Sequence, residues 1–132
     1  MKAIFIITLL MCYGTMTSQI DSIVSTKVYD IVEVMPEFTG GNQKMYDFIH
    51  ENFVYPQIIS ESNFIGKVYY QFVVNEDGSL SHFKLLRSSG MDQLDNEALR
   101  VLKIMPNWTP GKHKHKEVKV RFILPIQVEI ER

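Results

Sequence analysis

Two stretches of this chain carry residue types at spacings that chemistry could use. In the first, His113 and His115 alternate with Lys112, Lys114 and Lys116. On a strand, imidazoles at i and i+2 share a face and could ligate a metal ion. No cysteine or carboxylate stands at a useful spacing, and the lysines would repel a cation. A solvated hairpin loop is therefore the better reading. The second stretch holds Ser88-Ser89 followed by Asp92, Asp95 and Glu97. The serines have no paired base and no Gly-x-Ser-x-Gly turn, and the acids suit the positive end of a helix. His50 and His82 stand alone and read as helix-surface and strand-surface residues. No enzyme, cofactor or metal site is expected from these residues.

Composition narrows the remaining classes. At 132 residues the chain has room for one domain and a tail, and its 45% hydrophobic content suffices for a core. A net charge of −1 argues against nucleic acid as a partner. The one cysteine, Cys12, lies in an N-terminal apolar run, which leaves the rest of the chain without a disulfide or a thiolate site.

That run is a targeting segment. Lys2 precedes Ile4–Gly14, apolar apart from Thr8, and polar residues follow. It falls short of the roughly 20 apolar residues that span a bilayer comfortably. Residues 1–18 therefore read as a signal peptide, with an uncleaved anchor as the alternative. Lipidation is the minor reading, because Met11 stands where a lipoprotein signal places a small residue. Residues 19–33 read as a short linker and 34–132 as the folded domain, outside the cytoplasm.

The elements follow from periodicity. Met45, Phe48, Ile49 and Phe53 recur at helical spacing, with Asn42 as the expected N-cap and Tyr55-Pro56 as the end. Pro56 could open a further helical turn at Ile58–Ser62. Val68, Tyr70, Phe72 and Val74 share one face of a strand opened by Gly66. A hairpin at Asn75–Ser79, with Gly78 at positive φ, returns the chain through Leu80–Arg87. Leu94, Ala98, Val101, Leu102 and Met105 form the apolar stripe of a second helix stopped by Pro106. Val118, Val120, Phe122, Leu124, Ile126 and Val128 alternate as a last strand. Pro125 marks that strand as an edge or a bulge. Trp108, between prolines, reads as a core cap. Helix, hairpin, helix, strand is an α+β order: two helices on a three-stranded antiparallel sheet.

These residues resemble the TonB C-terminal domain family. The marks are Tyr55-Pro56, Gly66-x-Val68, Val73-x-x-x-x-Gly78 and Leu86-x-x-Ser89-Gly90. Leu94-Asp95-x-x-Ala98-Leu99, Trp108-x-Pro110 and Phe122-x-Leu124-Pro125-Ile126 complete them. Each is weak alone; their order and spacing carry the resemblance over Val34–Glu129. The entry Pro36-Glu37-Phe38-x-Gly40-Gly41 looks like versions common in Bacteroidetes-type bacteria.

The resemblance implies a periplasmic domain that binds the TonB box of an outer-membrane TonB-dependent receptor by β-strand addition, in energy-dependent transport. An unpaired strand edge is suited to that mode. The implied edge is Glu117, Val118, Lys119, Val120, Arg121, Phe122, Ile123 and Leu124, with Tyr55 and Pro56 near the bound segment. The basic run Lys112–Arg121 would meet an acidic segment or guard the edge against self-pairing. Full transducers have a spanning helix and a long proline-rich spacer. Here the linker from Gln19 to Val34 is at most about 16 residues, or roughly 55 Å extended. That argues against force transmission by this chain alone. Ile59 and Asn63 also depart from the family pattern. The rival readings are a dimerising structural module of the same fold, pairing edge to edge as a homodimer, and a periplasmic adaptor for inner-membrane motor proteins.

Overall fold

The computed structural model describes residues 27–57 and 63–130. The targeting segment, the start of the linker, the expected turn at Ile58–Ser62 and Ile59 lie outside the described residues. The order is β1 (Val28–Tyr29), α1 (Asn42–Asn52), β2 (Phe64–Val74), β3 (Leu80–Arg87), α2 (Asp92–Lys103), β4 (Gly111–His113) and β5 (Lys116–Ile130). Among the described residues no helix is long and apolar enough to cross a membrane.

The backbone of the fold is the antiparallel pairing of β2 with β5, unbroken from Phe64↔Ile130 to Val74↔Val120. Period-two alternation puts Val68, Tyr70, Phe72 and Val74 on the same side as Val120, Leu124, Ile126 and Val128, all buried. Both helices cover that side. Leu94, Ala98, Val101, Leu102 and Met105 of the predicted stripe are buried, as are Met45 and Ile49 of α1. Trp108 is the aromatic hub, with ring centroids 5.9 Å from Phe38, 5.4 Å from Phe72 and 5.2 Å from Phe122.

The hairpin tip docks against this hub. Trp108 N–H donates to the Gly78 carbonyl at 2.8 Å. Gly78 has φ +86°, and a Cβ there would lie 1.9 Å from the Trp108 carbonyl oxygen. The Asp77 carboxylate accepts from the Ser79 amide and hydroxyl at 2.9 and 2.6 Å, which lowers its pKa and closes the turn.

The α+β class with two helices is as expected, but the sheet is larger than the patterns predicted. It has five strands rather than three, in the order β1-β5-β2-β3 with β4 also on β5, and β1 runs parallel to β5. Neither extra strand is long enough to show a period. Tertiary contacts set both: Val34 exchanges backbone hydrogen bonds with Lys112 (3.1 and 2.8 Å), and Glu37 with Thr109 (3.0 and 2.8 Å). Packing thus begins ahead of Val34, inside the stretch read as linker, with Val32 already buried. The N-cap of α1 is Gly41, with no side-chain cap bond, so Asn42 opens the helix instead of capping it.

Candidate functional site

A sheet offers a partner strand only its edges, and the two edges here differ. β3 is interrupted twice: its register with β2 shifts between Tyr69 and Tyr70 and again between Gln71 and Val73. His82, inside the second interruption, has φ +55°. Such bulges twist an edge and spoil the even row of donors and acceptors a new strand needs. β5 keeps one register along its whole pairing with β2.

The free part of β5 is shifted from the stretch the sequence suggested. Lys116–Val118 pair with β4, and Lys119 and Val120 pair with β1. Glu117, Val118, Lys119 and Val120 are therefore each paired along the backbone, because the two short strands take those positions. From Arg121 to Ile130 the side of β5 away from β2 has no partner strand among the described residues. Phe122, Ile123 and Leu124 lie on this free stretch, and Arg121 borders it beside the β1 pairing at Val120.

Pro125 gives the polarity of that edge. The ladder passes through Tyr69↔Pro125 without a shift. A proline is tolerated there only with its nitrogen facing away from β2. By alternation, the amides and carbonyls of Arg121, Ile123, Gln127 and Glu129 also face outward. Phe122 and Leu124 turn theirs toward β2 and their side chains toward the core. Ile123 is 52% exposed, so the edge carries an apolar side chain beside its free donors.

Tyr55 lies at the far end of this edge. Its ring packs against Phe53 at a tilt of 54°, centroids 5.0 Å apart. With Tyr46, Ile49 and Phe53 it faces Gln127 and Val128 of β5 across a groove of about 220 Å³. Its position is held from α2. The Val54 amide donates to Glu97 Oε1 at 2.8 Å, and Arg100 donates to the Asn52 carbonyl at 2.7 Å. Arg100 also bonds Glu97 at 2.6 Å. Hydrogen bonds from Arg100 hold the Glu97 carboxyl below the usual carboxylate range; the Val54 amide adds to this, and burial opposes it. Pro56 faces another groove, beside Asn96 and Glu97, and is not brought to the β5 edge.

The serine–acid stretch has a structural role. Asp95 is 3% exposed and accepts from the Ser88 hydroxyl, the Ser89 amide (2.9 Å) and the Ser89 hydroxyl (2.7 Å). Its carbonyl accepts from the Tyr70 phenol at 2.6 Å, and burial, with the charge of Asp95, raises that phenol's pKa. The serines are donors that satisfy a buried carboxylate, and no imidazole joins them. This geometry accounts for two of the sequence marks, Leu86-x-x-Ser89-Gly90 and Leu94-Asp95, as one anchor between β3 and α2. His113 ends β4, and His115 lies in the tight β4–β5 turn with Lys114, both turn residues having positive φ. Among the described residues no group of three or more His, Cys, Asp or Glu is placed to hold a metal ion. Sequence reasoning missed the Glu97–Arg100 clamp; its i, i+3 spacing was the available signal.

A family profile for the C-terminal domain of the Gram-negative bacterial TonB protein matches residues 51–129. The chain belongs to the TonB C-terminal domain family. A solution structure of the Helicobacter pylori TonB C-terminal domain is similar at 26% identity and a TM-score of 0.52, over 65% of this chain and 89% of that one. A longer form of the same domain matches at 23% identity and a TM-score of 0.50, over 68% and 80%, a likeness of fold alone. No curated protein sequence matches the chain. TonB C-terminal domains are non-enzymatic protein-interaction domains of outer-membrane transport, periplasmic in Gram-negative bacteria.

Proposed function

We propose that this TonB C-terminal domain docks an extended segment of an outer-membrane receptor, its TonB box, as an added strand on β5. The observation that carries the reading is the regular free edge from Arg121 to Ile130, opposite a β3 edge broken by two bulges. Strand addition would draw its affinity from the outward groups of Arg121, Ile123, Gln127 and Glu129. Pro125 would contribute a carbonyl alone. Ile123 and the Tyr55 groove would receive side chains of the guest. Export by the N-terminal segment, cleaved or kept as an anchor, would bring the domain to the receptor's side of the inner membrane.

The test is an NMR titration of the full chain with synthetic peptides copying the N-terminal plug segments of the host's outer-membrane receptors. Shifts concentrated at Arg121–Glu129 and around Tyr55 support the reading. Ile123→Pro removes one outward donor and leaves the β2 ladder bonded as Pro125 does, so binding should fall at least tenfold with the fold retained. A flat titration of a folded protein would overturn the proposal. If mass also rises with concentration, the edge is used for self-pairing and the dimerising reading replaces it.

A further inference from the structure

β1 occupies the same edge that a guest strand would use. It pairs parallel to β5 through Val28↔Lys119 and Tyr29↔Val120. The Asp30 carboxylate then meets Arg121 at 2.6 Å. Val120 is bonded to β2 on its other side, so β1 and a guest strand compete for one set of β5 groups. By the alternation established at Pro125, those groups belong to Lys119 and Arg121. Arg121 borders the free stretch, so the competition reaches the guest's entry point.

The hold on β1 is slight. It has two paired residues, and its ion pair is exposed, with Asp30 at 70%. An exposed ion pair adds little stability, and ordering each residue costs backbone entropy of the same order as a hydrogen bond returns. Lys27 over the Tyr29 ring (4.6 Å) and Tyr29 against His113 (5.0 Å) add contacts that leave Val28 and Tyr29 only half-buried. Ile31 is 84% exposed, whereas Val32 is buried and Val34 is bonded to Lys112. The chain is thus anchored from Val32 onward, and among the described residues 27–31 form an arm before it. That anchor keeps the arm close to β5 even when it lets go.

We infer that Val28–Asp30 is a displaceable strap that occupies the start of the docking edge in cis. While it is closed, a guest can pair only beyond Tyr29. When it opens, the usable edge lengthens to include the outward groups of Lys119 and Arg121. The strap is an autoinhibitory contact that sets the guest's register and lowers its apparent affinity by the fraction of time the strap is closed. This rests on the strand-docking reading of β5.

The test compares the full chain with Asp30→Lys, which turns the ion pair into a repulsion, and with Glu33→Lys, an equal charge change beyond the strap. All three are titrated with the same plug-segment peptides. Amide hydrogen exchange is read at Lys119, Arg121 and Ile123 without peptide. In the native chain Lys119 and Arg121 should exchange slower than Ile123, and Asp30→Lys should erase the difference. A strap closed nine-tenths of the time predicts tighter peptide binding for Asp30→Lys, up to about tenfold, and no change for Glu33→Lys. Equal binding by all three chains overturns the strap while leaving strand docking intact. Flat titrations in all three overturn the docking reading and the strap's competition with it.

Discussion

Replacing Asp95 tests whether one buried carboxylate holds β3 to α2. In Asp95→Ala three donors lose their acceptor: the Ser88 hydroxyl, the Ser89 amide and the Ser89 hydroxyl. The losses are unequal. Ser88 is exposed and its hydroxyl can turn to water. The Ser89 hydroxyl already lies 3.2 Å from the Met91 carbonyl and can turn fully to it. The Ser89 amide has no such substitute. Hydrogen bonds to a charged group are worth about 1.5–3 kcal/mol, and an orphaned buried donor costs about 1–3 kcal/mol, so a total near 3–4 kcal/mol is expected. Relief from burying a charge offsets part of the gross loss and is the reason the figure is not larger. Asp95→Asn keeps an oxygen for the Ser89 amide, and Ser88 can accept from the new amide group, so it should cost only about 1–2 kcal/mol. Urea unfolding reads the difference. At a slope of about 1.5 kcal/mol/M, the midpoint should fall by about 2 M for Ala and about 1 M for Asn. Because α2 also carries Glu97 and Arg100, the Tyr55 resonances should broaden in Asp95→Ala. A loss below about 0.5 kcal/mol for Ala, or equal losses for both variants, would refute the anchor.

Other perturbations probe separate joints. Gly78→Ala puts a methyl 1.9 Å from the Trp108 carbonyl oxygen on a backbone with φ +86°; it should cost at least about 2 kcal/mol and quench the native Trp108 fluorescence signature of the fold. Tyr70→Phe removes the 2.6 Å bond to the Asp95 carbonyl and should cost about 1–2 kcal/mol by thermal unfolding, with no change in peptide binding. Glu97 has a folded pKa lowered below its unfolded value near 4.5. Its contribution to stability is therefore full above that value and lost as pH falls through the folded pKa. Glu97→Gln should flatten the acid limb of the stability–pH curve below about pH 5, and an unchanged limb would deny the clamp.

Much of this domain was legible without coordinates, because long elements advertise themselves through period. The five-residue stripe from Leu94 to Met105 and the alternation from Val118 to Val128 each repeat often enough to name the buried face. Trp108 was identified as core because a lone indole between prolines has few other places to go. Gly78 was legible because only positive φ closes that hairpin. The same reasoning named the fold class and, with the Ser89-Gly90 and Leu94-Asp95 marks, the family.

What only the tertiary structure decided was which backbone groups remain free. β1 and β4 are too short to have a period, and their positions come from Val34–Lys112 and Glu37–Thr109 bonds between segments some 75 residues apart. Those contacts close the edge at Glu117–Val120 and move the open stretch to Arg121–Ile130. The role of Asp95 was likewise hidden, since a carboxylate in the first turn of a helix looks solvated until its serine partners fold back onto it. Side-chain pattern reports burial, which is a local property of each residue. Edge availability depends on what the rest of the chain places alongside, and that depends on the packing of the whole domain.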